Sequence, residues 1–159
     1  MQKFNAALLA TASVLALTGA AVAAPAIALT GEKTLVMFDT ETLAVSGTMD
    51  VTGVDRLEGI DVRPADMMLY GLAGDGSIVT IDTASGAATV KSQLSEAWPA
   101  GVAASVDFNP VADRMRIVGT DGTNLRVNVD DGMATVDGKL AYDAADMHAG
   151  EMPNIVAVA

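Results

Sequence analysis

Three arginines and an asparagine in the segment 114–126 form the polar group best suited to binding chemistry. Arg114 and Arg116 stand two positions apart, so on a β-strand their side chains share one face of the sheet. Asn124 and Arg126 lie on the next apolar run, within reach of the first pair. Guanidinium groups hold carboxylates and phosphates through paired hydrogen bonds. The spacing therefore predicts that these four residues bind a small anionic ligand or a protein partner.

The elements that position these arginines belong to an internal repeat. Residues 59–90 match residues 105–136 without a gap at a constant shift of 46 positions. A period of about 40–50 residues is typical of β-propeller blades. The shift superposes acidic, proline and turn residues of the two copies: Asp61 on Asp107, Pro64 on Pro110, and Asp75-Gly76 on Asp121-Gly122.

A structural role for the arginines is the alternative. Asp107, Asp113 and neighbouring carboxylates stand close in the sequence, and ion pairs with them would tie successive repeats together. The first copy carries Met68, Tyr70 and Thr80 at the places of the three arginines, so the repeat itself does not demand arginine. The two interpretations differ in whether the guanidinium groups are already occupied by carboxylates of the same chain.

The sequence offers little for catalysis or metal binding. His148 is the only histidine, cysteine is absent, and no Gly-x-Ser-x-Gly turn presents a nucleophile. The aspartate-rich turns at 130–132, 137–138 and 143–146 lack the EF-hand spacing and need no metal to form. Met147, His148 and Met152 resemble a soft copper site, but a chain with nine methionines produces such neighbours by chance. We therefore predict no catalytic residue, no metal site and no cofactor.

Short apolar runs separated by Gly, Pro and Asp turns indicate an all-β chain. Two runs at 35–39 and 47–51 indicate a partial first copy, and Ser92–Trp98 resembles a short helical or irregular crossing. Each complete copy contains four runs: 58–62, 67–73, 77–82 and 87–91, and then 103–108, 114–119, 124–129 and 133–136. The predicted fold is a partial β-propeller of blade-like, four-stranded antiparallel repeats with a period of 46 residues.

One repeat-built domain is predicted to span residues 24–159. Its blades fall near residues 34–58, 59–104 and 105–150, and residues 154–159 would open a further blade. Two to three blades are fewer than the four or more of a closed propeller. Closure would therefore require a homo-oligomer, unless the chain is a shortened form of a longer ancestor.

Residues 1–23 have the pattern of an export signal. Lys3 gives the positive start, Ala6–Leu17 is a short apolar core, and small residues precede a cleavage site after Ala23 or, as a second choice, after Ala26. The apolar core is shorter than the roughly 20 residues that a membrane span needs. The predicted location is the periplasm or the cell exterior, with no membrane span after cleavage.

The charge of the chain argues against nucleic acid as a partner. Without residues 1–23 the chain holds 8 basic and 20 acidic residues, a formal charge of −12. Binding to phosphate backbones depends on Lys and Arg, so such a chain is repelled rather than attracted. The acidic surface is suited to an exported protein that must stay dispersed in solution.

Five segments together resemble a known family. Val106–Pro110, Asp113–Arg116 and Asn124–Asn128 are similar to the signature of exported bacterial proteins grouped as domain of unknown function 4394, and Gly59–Pro64 and Leu69–Leu72 resemble the preceding half of its pattern. The resemblance covers nearly all of residues 24–159 and implies an exported, repeated β-rich domain of propeller type. It implies no particular activity.

Together these observations predict an exported, non-enzymatic binding or scaffolding module that acts through Arg114, Arg116, Asn124 and Arg126. Two alternatives stay open. One is a metal-dependent hydrolase or lactonase of the propeller kind, and the other is a truncated remnant without function.

Overall fold

The computed structural model describes residues 24–159, and these residues fold into β-strands without any helix. The predicted export signal at residues 1–23 lies outside the described residues. Within the described part no helix exists that could cross a membrane. The strands in chain order are β1 (Pro25–Thr30), β2 (Thr34–Asp39), β3 (Val45–Asp50), β4 (Leu57–Val62), β5 (Leu69–Ala73), β6 (Ser77–Ile81), β7 (Ala88–Gln93), β8 (Ala104–Asn109), β9 (Arg114–Gly119), β10 (Asn124–Val127) and β11 (Ala134–Val136).

The strands form three antiparallel sheets, and each sheet follows the order of the chain. The first sheet is β1-β2-β3, the middle sheet is β4-β5-β6-β7, and the last sheet is β8-β9-β10-β11. Every pair of neighbours is joined by a short hairpin connection, which keeps sequential strands adjacent. Thr52 and Ala87 make an isolated parallel bridge between the first and middle sheets.

The hairpin turns repeat from sheet to sheet because the same local chemistry recurs. Gly86 in the β6–β7 turn and Gly132 in the β10–β11 turn adopt φ of +74° and +76°, a region that glycine enters without steric cost. The Asp82 side chain accepts a hydrogen bond from the backbone two residues later, and Asn128 does the same in the last sheet. These turns fix the register of the strands that carry the polar side chains.

Two apolar cores lie between the three sheets, one at each interface. Leu35 and Val51 of the first sheet region pack with Leu57, Val79 and Ile81 of the middle sheet. The second core joins the middle and last sheets and contains the only tryptophan of the chain. Its fully or largely buried members are Tyr70, Leu72, Ile78, Leu94, Trp98, Val106, Phe108, Met115, Ile117, Leu125, Val127 and Val129.

The middle sheet is covered on both faces, as its sequence requires. Every residue of β5 is buried, and side chains alternate between the two cores, with Leu69 toward the first sheet and Tyr70 and Leu72 toward the last. A strand buried on both faces is apolar throughout rather than alternating. The last sheet, in contrast, is mostly polar on the face that does not meet the middle sheet, where Val118 is an apolar exception.

Three local features differ from the sequence-based expectation or extend it. No strand is expected before Leu35, yet Pro25–Thr30 forms β1, because pairing with β2 outweighs the weak strand propensity of an alanine-rich run. Residues 94–98 form an irregular crossing rather than a helix. Residues 154–159 lack regular secondary structure, and the backbone N–H of Val158 donates to Ser105 Oγ at 2.8 Å.

Candidate binding face on the last sheet

The face of the last sheet that points away from the core is polar. Along β8 the side chains of Val106 and Phe108 enter the core, so that of Asp107 lies on the opposite face. The same alternation puts Arg114, Arg116, Asn124 and Arg126 on that side. We call these five residues together, Asp107, Arg114, Arg116, Asn124 and Arg126, the arginine face.

A cleft of about 810 Å³ opens on the arginine face. All five residues of the arginine face line this cleft, together with Asp137 from the segment after β11. Val158 and Ala159 close one side of it, because the end of the chain runs beside β8. The structure thus brings the four residues singled out from the sequence into one site.

Arg116 and Arg126 share a single carboxylate, that of Asp137. Arg116 donates to Asp137 Oδ2 at 2.6 Å, and Arg126 donates through Nε and Nη2 to Oδ2 and Oδ1 at 2.7 and 2.9 Å. The Arg126 guanidinium, followed by that of Arg116, lowers the pKa of the Asp137 carboxyl. These two arginines are thus already paired with a carboxylate of the same chain, which comes from the segment after β11.

Asn124 positions Arg116 rather than facing open solvent. Its Oδ1 accepts a hydrogen bond from Arg116 at 2.7 Å, and its Nδ2 donates to the carbonyl of Gly138 at 3.0 Å. The Asn124 side chain is buried, so both of its polar groups need such partners. Asn124 therefore links β10 to the segment that supplies Asp137.

Arg114 differs from the other two arginines because its charge is not matched by a carboxylate. Its Nη1 donates to the backbone carbonyls of Asp113 and Ala112 at 2.8 and 3.4 Å. Among residues 24–159 no carboxylate lies within ion-pair distance of its guanidinium. The side chain is exposed at the rim of the cleft, so Arg114 is the cation available to a partner.

Asp107 is half-buried on the arginine face, and no described residue forms a hydrogen bond with its carboxylate. Burial raises the pKa of the Asp107 carboxyl, and the nearby charge of Asp61 raises it further. Asp61 occupies the matching place on the middle sheet. There its Oδ2 accepts a hydrogen bond from the backbone N–H of Phe108 on the adjacent sheet, at 2.6 Å.

Arg63 is the important polar residue that sequence reasoning missed. It lies at the end of β4 with its side chain only 10% exposed, and its guanidinium faces the last sheet. It donates to both carboxylate oxygens of Asp113, at 2.9 and 2.7 Å, and to those of Asp130, at 3.3 and 3.1 Å. The Tyr70 hydroxyl lies 3.3 Å from its Nη1. Asn109 stands at the matching place of the second copy, so the repeat pattern gave no signal for Arg63.

The network around Arg63 joins the middle and last sheets electrostatically. Hydrogen bonds from Arg63 lower the pKa of the Asp113 and Asp130 carboxyls, and Lys91 lowers that of Asp130 further. Asp113, in turn, raises the pKa of the Arg63 guanidinium above its usual range. The contacts tie Arg63, directly after β4, to two turns of the last sheet, which indicates a structural role.

The residues considered for metal binding are engaged elsewhere or lie apart. Asp130 pairs with Arg63 and Lys91, and His148 Nδ1 lies 3.2 Å from the Glu151 carboxylate. Within residues 24–159 no three His, Asp or Glu side chains are grouped closely enough to hold a metal ion.

Residues 34–159 match the family model described as "Domain of unknown function (DUF4394)". The matched range includes all of the middle and last sheets, the arginine face and the Arg63 network. No curated protein matches the sequence.

Proposed function

The chain belongs to the DUF4394 family, and we propose that it is an exported, non-enzymatic binding or scaffolding module that docks a protein partner on the arginine face. The observation that carries this proposal is the contrast between the last sheet and the middle sheet. Both faces of β5 and β6 in the middle sheet are covered by neighbouring sheets, whereas the arginine face of the last sheet is open.

The two equivalent aspartates support docking of a polypeptide on this face. Asp61 accepts the backbone N–H of Phe108 across the interface between the middle and last sheets. Asp107 stands at the matching place and is half-buried without such a donor among residues 24–159. A backbone N–H from a docked strand would satisfy Asp107 as Phe108 satisfies Asp61.

A protein partner fits the charges of the site better than a small anion does. Arg116 and Arg126 already hold Asp137, so a free phosphate or carboxylate would have to displace an intramolecular carboxylate of high effective concentration. Only Arg114 is open to a new charge pair. A single open cation at the rim of a broad cleft is typical of a protein contact, in which charge guides docking and shape supplies most of the affinity.

The finer fold assignment, two successive propeller blades with a period of 46 residues, is part of this proposal. Residues with positive φ recur at that distance in the middle and last sheets, which supports the assignment. The matched positions are Met67 and Asp113, Gly76 and Gly122, and Gly86 and Gly132. Met67 and Asp113 are informative because a positive φ is uncommon for residues other than glycine.

The proposed docking is tested by photo-crosslinking in the producing cell, with the full chain and its own leader. A photoreactive amino acid replaces Arg114 in one variant and Lys139 in the control variant. Lys139 is an exposed cation of the same charge outside the cleft lining. We expect a discrete protein adduct at position 114 and none at position 139. The absence of an adduct at position 114 would refute the proposal, and a rise in melting temperature with millimolar citrate or phosphate would then favour a small anion.

Export is tested on the same preparation. Mass spectrometry of the protein recovered outside the cytoplasm should show an N-terminus at Ala24. An N-terminus at Ile27 would indicate cleavage after Ala26 and would remove two residues of β1. A full-length protein retained in the cytoplasm would contradict the proposed export.

Elemental analysis distinguishes a metal-dependent hydrolase from a binding module. A propeller-type lactonase requires a tightly bound metal, so the exported protein would contain about one equivalent of it. For the binding module we expect no metal at stoichiometric amounts, and an unchanged melting temperature after dialysis against a chelator.

A further inference from the structure

Among residues 24–159 the first sheet has no strand equivalent to β4 and β8, which open the other two sheets. A shift of 43 positions places β1, β2 and β3 on β5, β6 and β7. The turn contacts agree with this shift, because Leu43 donates to the Asp39 carbonyl as Gly86 donates to the Asp82 carbonyl. Among residues 24–159 nothing corresponds to β4, so β1 is an open edge of the first sheet. An open edge presents unpaired backbone groups to another strand.

The segment 154–159 stands where the opening strand of a further sheet would stand. The opening strands β4 and β8 approach closely, and a Cβ placed on Gly59 would lie 3.4 Å from the backbone nitrogen of Val106. Ser105 follows Gly59 by 46 positions, and its Oγ lies 2.8 Å from the backbone nitrogen of Val158. The segment 154–159 is therefore adjacent to β8 in the same way as β8 is adjacent to β4.

The first sheet also has an uncovered apolar face. Its inward side packs on the middle sheet through Ile27, Leu29 and Leu35. By strand alternation its outward side carries Ala26, Ala28, Val36 and Phe38, which are only partly buried. At a shift of 43 these positions correspond to Leu69, Gly71, Val79 and Ile81 of the middle sheet. In the middle sheet these residues lie on the face that packs against the first sheet. The equivalent face of the first sheet has no such neighbour among residues 24–159.

The outward face also complements the arginine face in charge. Asp50 lies opposite Thr34 in the register of β2 and β3, on the same side as Val36 and Phe38, and it is exposed. The Thr34 hydroxyl donates to its carboxylate at 2.6 Å. A carboxylate on this face suits the open guanidinium of Arg114 on the arginine face.

We propose that the occupant of the arginine face is the first sheet of a second copy of this chain, and that the segment 154–159 of each copy pairs with β1 of the other as its missing strand. The described residues of two copies then supply six sheets, each with an opening strand, and the ring closes around a two-fold axis. Six lies within the four to eight blades of known propellers. This inference depends on the proposed docking function and names its partner.

Cysteine crosslinking tests the strand pairing directly, because the native chain contains no cysteine. The variant A28C/V156C places one thiol on β1 and one on the terminal segment, and A26C/V156C samples the neighbouring register on the same face. Within one copy the middle sheet separates these positions, so a disulfide must join two copies. Mild oxidation of the exported protein should give a covalent dimer for at least one variant. The control T48C/V156C carries its thiol on β3, at the other edge of the same sheet, and should stay monomeric on the denaturing gel.

Light scattering during size exclusion measures the assembly itself. The exported wild-type protein should have twice the mass of one chain. Phe38→Glu should reduce it to one chain while circular dichroism still reports β-structure, whereas Val90→Glu, a matched change on an exposed residue of β7, should leave the dimer intact.

Three results of the crosslinking and light-scattering experiments would overturn the inference. They are a wild-type monomer at roughly millimolar concentration, a covalent trimer or larger ladder from the cysteine variants, and equal crosslinking of the β3 control. A different protein captured at position 114 would also overturn it, but would leave the docking function standing. The absence of any adduct at position 114 would refute both the docking function and the inferred dimer.

Discussion

Arg63 of the middle sheet and Asp113 of the last sheet form a two-point ion pair, with Nε and Nη2 of the arginine 2.9 and 2.7 Å from the two carboxylate oxygens. The same guanidinium reaches Asp130, so one nearly buried cation holds two turns of the neighbouring sheet. The ion pair contributes to holding the two sheets at the observed offset, because its two-point geometry tolerates little displacement.

Arg63→Ala should destabilise the protein by about 1–3 kcal/mol, between the values typical of exposed and buried ion pairs. The loss arises because Asp113 and Asp130 would repel each other without the cation. Thermal unfolding should show a melting temperature lower by roughly 5–10 °C. Arg63→Lys should recover only part of the loss, since an ammonium cannot match both oxygens.

The matched control for this prediction is Arg114→Ala. Arg114 contacts only backbone carbonyls of its own turn, so its removal should leave the melting temperature unchanged. Equal losses for Arg63→Ala and Arg114→Ala would contradict the structural role of Arg63.

The stability of the protein should fall in acid because of Asp113 and Asp130. Their pKa values are lowered in the folded state, so the unfolded chain takes up protons first. The contribution of each carboxylate is complete above its ordinary pKa, about 4, and disappears as the pH falls below that value. Denaturant midpoints measured from pH 7 to pH 2.5 should therefore decrease most steeply below about pH 4.

Asp113→Asn provides the control for the acid dependence. It should lower stability at pH 7 and flatten the decrease between about pH 4, the ordinary pKa of an aspartate, and about pH 2.5. A variant with the same acid dependence as the wild type would assign that dependence to other carboxylates.

Leu43→Gly should stabilise the protein by about 0.5–1 kcal/mol. Leu43 is exposed and adopts φ of +57°, in a turn where the other two sheets have Gly86 and Gly132. The backbone strain of a side chain in this region exceeds the entropy that glycine adds to the unfolded state. Urea denaturation should show a higher midpoint with an unchanged slope.

The reciprocal substitution, Gly86→Ala, tests the same turn geometry. A Cβ on Gly86 would lie 2.8 Å from the carbonyl oxygen of Asp50, in addition to the positive φ of +74°. We expect a loss of roughly 2 kcal/mol or more. A tolerated Gly86→Ala would show that the two turns are not equivalent.

Gly59→Ala should force β4 and β8 apart. The added Cβ would lie 2.7 Å from Cγ2 of Val106, so the two strands would have to separate and disturb the packed core between the sheets. Overpacking of this kind costs about 1–3 kcal/mol, measured as a lower denaturant midpoint.

A compensating change separates this clash from a general effect of the substitution. Val106→Ala in the Gly59→Ala background should recover part of the loss, since it removes the methyl groups in contact. Gly138→Ala, where nothing lies within 4 Å of the new atom, should be neutral. Additive losses in the double variant would argue against the close approach of β4 and β8.

The sequence by itself determined the strands from β2 onward, the turns and which side chains share a face. Alternation of apolar and polar residues is a local property, so it placed Arg114 and Arg116 together on β9 and Arg126 beside them on β10. The Asp-Gly turns marked the hairpins for the same reason. The strand β1 was missed because its alanine-rich run has no strong local preference and depends on β2 for its conformation.

Only the tertiary structure decided what each polar side chain does. Asp137 takes up Arg116 and Arg126 because the segment after β11 folds back over β10, and Arg63 meets Asp113 and Asp130 only once two sheets are stacked. Such contacts join residues up to 67 positions apart, and the repeat pattern does not encode them, since the second copy has Asn109 at the place of Arg63. Local periodicity fixes the direction of a side chain, but the packing of sheets fixes its partner.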